Sequence, residues 1–137
     1  MGSLVRSVGA VVAGLVVAMI SIVGIEVASS LVHPFPPGVD TNDYEVVRAH
    51  VARYPAWILL LAALGWGLTT FVSAWLATRL GPGRHRAHGI VVGSILLALV
   101  VMNMSMLPYP VWFWAANLVG FPLAFYWGSR LGGPPTS

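Results

Sequence analysis

One acidic residue, Glu26, interrupts an otherwise uncharged apolar run from Val8 to Val32. A carboxyl group there costs a few kcal/mol on insertion scales, on the order of the 2.5–3.5 kcal/mol given for Asp at a span centre, so it calls for a partner. Ser29, Ser30 and His33 follow it at i+3, i+4 and i+7, a polar stripe along one helix face. Glu26 precedes His33 by seven residues, Asn103 precedes Pro108 by five, and Asn117 follows Pro110 by seven. At about 1.5 Å per residue, these spacings place three side chains from three segments roughly 7–10 Å below the helix ends, in one polar layer. Two readings follow. In the first, Glu26 binds a proton or cation reached from the outer face through Ser30 and His33. In the second, its carboxyl group bonds Asn103 or Asn117, or pairs with Arg53, and fixes helix register.

Other chemistry finds few residues to use. No glycine-rich phosphate loop, serine elbow or paired carboxylates occur, which leaves an enzyme reading without residues and points to a non-enzymatic protein. His85 and His88 flank Arg86 without a carboxylate, a poor metal site, and Met102, Met104 and Met106 read as gap-fillers; no metal or cofactor is expected. His50 is expected on the outer helix surface. The arginines are scattered beside apolar runs, which argues against nucleic acid as a partner.

The elements that carry these residues follow from composition. With 58% hydrophobic and 8% charged residues and a mean hydropathy of +0.84, the chain reads as an all-α integral membrane protein whose partner is the lipid bilayer. Four segments are long enough to cross: about 8–32, 56–78, 89–107 and 111–129, with prolines 34, 36, 37, 55, 108 and 110 at their borders. The first exceeds a signal-peptide core and is expected to stay in the membrane. Arg6, Arg79, Arg84, Arg86 and Arg130 share one side and only Arg48 and Arg53 lie on the other, which favours both termini in the cytoplasm. The outer loop, 33–55, divides into a proline-rich half and a short interfacial helix from Asn42, with a capping-box-like Asn42/Glu45 spacing and Val47, Val51 and Tyr54 on one face. Most aromatic residues fall near the two interfaces as anchors, whereas Trp66 and Trp75 lie deeper, where packing or a ligand contact would use them.

Between helices in lipid, small residues mark close approach. Ala116, Gly120, Ala124, Gly128 and Gly132 repeat every fourth position along the last span, and Gly65 leads a similar run in the second. An antiparallel four-helix bundle follows, with the last stripe also available to a second copy or a larger membrane complex. Pro122 is expected to kink that span.

Several segments together resemble an uncharacterised family of small bacterial four-span membrane proteins: Val12 to Leu15, Glu26 followed by His33, Pro36 to Asp40, Trp75 to Leu80, Pro108 to Trp114 and Tyr126 to Leu131. The resemblance covers nearly the whole chain. It implies the topology and a bacterial cytoplasmic membrane, and transfers no catalytic residue. Ser73-Ala74-Trp75 departs from the glycine-rich pattern of that group. The chain is also similar to small multidrug resistance transporters in its four short spans and single glutamate in the first, but its long outer loop, proline punctuation and paired asparagines differ. The functions in view are therefore an accessory or structural membrane subunit, a small proton-coupled transporter using Glu26, and a lipid-, quinone- or pigment-binding subunit.

Overall fold

The computed structural model describes residues 2–135. Five helices follow in order: α1 (Gly2–Val32), α2 (Tyr44–Ala52), α3 (Ala56–Leu80), α4 (Arg86–Met106) and α5 (Val111–Gly132), with a 3₁₀ turn at Pro82–Arg84. Prolines set the starts, since Pro55 and Pro110 are the N-caps of α3 and α5 with extended ψ of 147° and 156°. α1 begins ahead of its apolar run because no breaker precedes Val8. α5 is continuous across Pro122.

Among the described residues, three helices, α1, α3 and α4, are long and apolar enough to cross a membrane. Their surfaces fit that solvent. Large apolar side chains such as Leu4, Ile20, Leu31, Leu64 and Leu68 are more than half exposed, far beyond the apolar patches an aqueous surface carries. α3 is the central element, packed against α5, α1 and α4, whereas α1 and α4 touch each other least of the neighbouring helices. On α1 only Ala10, Gly14 and Ala18 are buried.

The two ends of the bundle are held differently. At the 3₁₀ end the backbones meet through glycines. A Cβ on Gly14 would lie 2.9 Å from the Ser73 carbonyl oxygen, one on Gly89 2.5 Å from that of Ala74, and one on Gly132 2.6 Å from that of Trp75. Gly128 sits against the Phe71 carbonyl and Gly93 against the Phe125 ring. The turn itself is tied down, as Gly83 and Arg84 take positive φ (62° and 52°) and Arg84 Nε donates to the Gly132 carbonyl at 3.1 Å. His88 Nε2 lies 3.1 Å from Ser7 Oγ, joining α4 to α1. At the α2 end, α5 instead meets its neighbours through Phe113 and Phe121.

This contrast redraws the small-residue stripe. Gly128 packs as expected, and Gly65 approaches Ile25 of α1, at 3.0 Å from a built Cβ to Cδ1. Ala116 is exposed, Ala124 is half-buried and Gly120 has nothing within 4 Å. α5 uses its rings where the gap between helices is wide and its glycines where it is narrow, so the packed face passes through Phe113, Asn117 and Phe121 before reaching Gly128.

The short helix in the loop forms as expected but is capped one residue later. Asp43, not Asn42, accepts from the Glu45 backbone N–H at 2.9 Å, while the Asn42 backbone N–H donates to Asp40. α2 makes no extensive backbone contact with any other helix and is held through side chains. Tyr44 donates its hydroxyl to the Met106 carbonyl, a bond that ties α2 to the end of α4. Asp43→Ala is expected to cost α2 about 1 kcal/mol of local stability. Amide exchange should show it as roughly fivefold faster exchange confined to α2.

Candidate ligand-binding site

Where α1 and α4 fail to close on each other, a cavity of about 280 Å³ opens over α3. Met19, Ile22 and Glu26 of α1 face Leu99 and Asn103 of α4 across it, with Trp66, Thr69 and Thr70 of α3 as its floor. A second cavity, of about 230 Å³, lies toward α2 and is covered by Val47, His50 and Val51. The two share Glu26, Trp66 and Asn103. Glu26 is the only acidic residue lining either one, and neither is lined by an arginine.

The remaining polar groups are mostly neutral. Thr70 Oγ1 donates to the Trp66 carbonyl of its own helix at 2.9 Å, so its proton is already used. Trp66 is 9% exposed and its indole Nε1 has no hydrogen-bond partner. Its ring meets Phe113 edge-on, at 5.5 Å and 71°, and Tyr109 stacks on Phe113 at 4.6 Å. Burial, reinforced by Glu26 and Tyr54, pushes the Tyr109 phenol well above its ordinary pKa. Tyr54 is raised by burial and then by Glu26. Both phenols therefore remain protonated donors throughout the physiological range.

Of the residues read from the sequence, Glu26 and Asn103 are brought to the same two cavities and Asn117 is not. Asn117 is 1% exposed, and its Nδ2 donates to the Phe113 carbonyl one turn earlier at 2.8 Å, leaving Oδ1 without a partner. It stands on the same face of α5 as Phe113 and Phe121, which line the cavities, but is packed between the helices and opens onto neither one. Ser30 is exposed and donates to the Val27 carbonyl at 2.7 Å, while Ser29 lines the second cavity. Successive helix positions lie about 100° apart, so only one of the two serines faces inward. Arg53 is exposed at the end of α2, where its backbone N–H donates to the His50 carbonyl at 3.1 Å.

His33 joins a group that the sequence reading did not assemble. His50, expected on the surface, is only 5% exposed. It is held between Phe35, at 3.9 Å and 18°, and His33, at 4.5 Å and 28°, and Tyr54 stands 4.9 Å from the His33 ring. The signal was present in the spacing. Val47, His50 and Val51 stand at i, i+3 and i+4, so a helix that turns its two valines inward turns the histidine inward as well.

Compared with known protein families, characterised proteins and solved structures, the chain finds no match, so its site is read from its own geometry. An apolar cleft contributes most of the contact area, and one carboxyl, one carboxamide and two phenols provide a few placed polar atoms.

Proposed function

We propose that this is a non-enzymatic integral membrane protein whose cleft takes up a small lipid-soluble molecule. In this reading α5 is the fourth span, antiparallel to α4 across the tight Leu107–Pro110 link, and both termini lie on the cytoplasmic side of a bacterial inner membrane. The arginine distribution supports that orientation, and the resemblance to the bacterial four-span family agrees with it.

The observation that carries the proposal is the pair of cavities meeting at Glu26, Trp66 and Asn103, beside the weakest helix contact in the bundle. A gap between two lipid-facing helices admits a molecule sideways from the acyl chains, with no need for an aqueous route. The ligand would lay an apolar body along Met19, Ile22 and Leu99 and turn a polar head toward Glu26 and Asn103. An anionic head is disfavoured, since Glu26 would meet it with no arginine to compensate. Protein purified in native lipid and extracted into organic solvent is expected to yield a stoichiometric amphiphile by mass spectrometry. Folded Glu26→Leu protein should yield little or none. Extracts holding only bulk lipid in both cases would overturn the reading.

A second reading, an accessory subunit of a homo-oligomer or larger membrane complex, draws on the open small-residue face at Ala116 and Gly120. Native mass measurement in nanodiscs reads it directly. Proton-coupled transport through Glu26 is the third, and proteoliposome flux unchanged in Glu26→Gln would remove that residue from any carrier mechanism.

A further inference from the structure

The second cavity is covered by a helix that the rest of the fold hardly grips. α2 lies over it with Val47, His50 and Val51 turned inward, yet has no extensive backbone contact with any other helix. What holds it is a column of rings. His50 of α2 is sandwiched between Phe35 of the proline-rich link and His33 beyond the end of α1, with Tyr54 against both imidazoles at 4.9 and 5.3 Å. Beyond the column there is the Tyr44 bond to the Met106 carbonyl. From this geometry we propose that α2 is a proton-operated cover on the outer end of the ligand cleft, with His50, stacked on His33, as its trigger. The proposal rests on the cleft being a binding site and names how access to it is regulated.

The physical basis is the cost of charging a ring inside the column. His50 Nε2 and His33 Nε2 are both buried without a hydrogen-bond partner, so neither has an acceptor ready for an added proton. The charges acting on His50 are also unfavourable. Burial lowers its pKa first and His33 lowers it further, while a bond to the His33 backbone offsets part of this and Arg53 adds to the lowering. Tyr54, the other titratable group against the rings, stays neutral, and Asp43 on α2 already serves as the helix cap. Glu26 and Tyr109 line the cavity beneath, and Glu45 and Arg48 complete the charges on α2.

The sign follows from linkage. A histidine whose pKa is depressed in the closed state binds its proton more readily once the column has opened. Closure is therefore complete above the ordinary histidine value near 6.5 and is lost progressively as pH falls below it. One proton taken up on opening shifts the closed-to-open ratio about tenfold per pH unit in that range. An acidic outer face would then open the second cavity toward water, and a neutral one would keep that end of the cleft shut while the side opening between α1 and α4 stays as it is.

The chain has no cysteine, so single introduced thiols report cleanly. Val51 is buried against the cavity, and its neighbour Ala52 is exposed on the same helix. Val51→Cys and Ala52→Cys proteins in nanodiscs would be labelled with a neutral, membrane-impermeant maleimide from pH 8 to pH 5. The ratio of the two rates removes the intrinsic pH dependence of thiol reactivity. The ratio is expected to stay level down to about pH 6.5 and then to rise as the pH falls, by up to about tenfold per pH unit. It should remain level throughout when His50→Phe is added, which keeps the ring stack and removes the titrating group. His33→Phe, a second route should the first variant fold poorly, is expected to weaken the rise by removing a neighbour that lowers the His50 pKa. A ratio that stays level in the protein with both histidines, or rises equally without His50, would overturn the cover. The measurement needs no ligand, so a pH-dependent ratio with an empty cleft would sink the binding reading alone. A filled cleft under a level ratio would sink the cover alone.

Discussion

Gly128→Ala is expected to destabilise the bundle by about 2–3 kcal/mol, whereas Gly120→Ala, on the same helix, is expected to be neutral or mildly stabilising. At Gly128 an added methyl group runs into the Phe71 carbonyl, with the Phe71 carbonyl carbon and the Trp75 nitrogen both at 3.2 Å. Those atoms belong to the backbone of α3 and cannot rotate away, so two helices must separate and lose dispersion contacts along their length. At Gly120 nothing lies within 4 Å, and the methyl group adds only helix propensity. Thermal or denaturant unfolding in detergent, followed by circular dichroism, would compare the pair directly. Equal losses at both positions would mean that α5 packs through its whole small-residue stripe.

Glu26→Leu is expected to raise stability and abolish occupancy of the cleft together. The wild-type acid lines an apolar cavity without an arginine beside it, and placing such a group within a span costs a few kcal/mol, so leucine should stabilise the fold by about 2 kcal/mol. The same change deletes the polar anchor of the cleft. A hydrogen bond to a charged group is worth about 1.5–3 kcal/mol, so affinity for the extracted amphiphile should fall by roughly ten- to more than a hundredfold. Opposed movement of stability and binding is the mark of a residue kept for function at the expense of the fold. Unfolding curves and ligand titrations on one nanodisc preparation check both halves, and a Glu26→Leu protein that is less stable would reassign the acid to holding the helices together.

The fold was more legible than the site, for reasons specific to each residue. Proline and hydropathy located α3, α4 and α5 closely, because a residue without an N–H punctuates an apolar helix wherever it occurs. Depth along a helix was readable for Glu26, Asn103 and Asn117, since rise per residue is nearly constant. Azimuth was not. A helix that is apolar all round carries little information about which side faces a neighbour, and so Ser30 was given the inward face that Ser29 takes, while Asn117 shares the packed face of Phe113 and Phe121 but is closed off from both cavities. The α5 stripe shows the same difficulty, as its glycines share a spacing while Gly128 and Gly132 meet a backbone and Gly120 meets nothing. His50 was missed because the loop helix was read by Val47, Val51 and Tyr54, and the rings it stacks on come from the proline-rich half of the same loop.

The division of the bundle into a glycine-joined end and a ring-filled end sets where the sequence can vary. Helix spacing is fixed where main chain rests on main chain, at Gly14, Gly89, Gly128 and Gly132. The side chains around the cleft are thereby released from keeping the architecture in register. Met19, Ile22 and Leu99 can change size or shape and reshape the chamber without moving the helices that frame it. Such a molecule can diversify what it holds one residue at a time, on a foundation that tolerates almost no exchange.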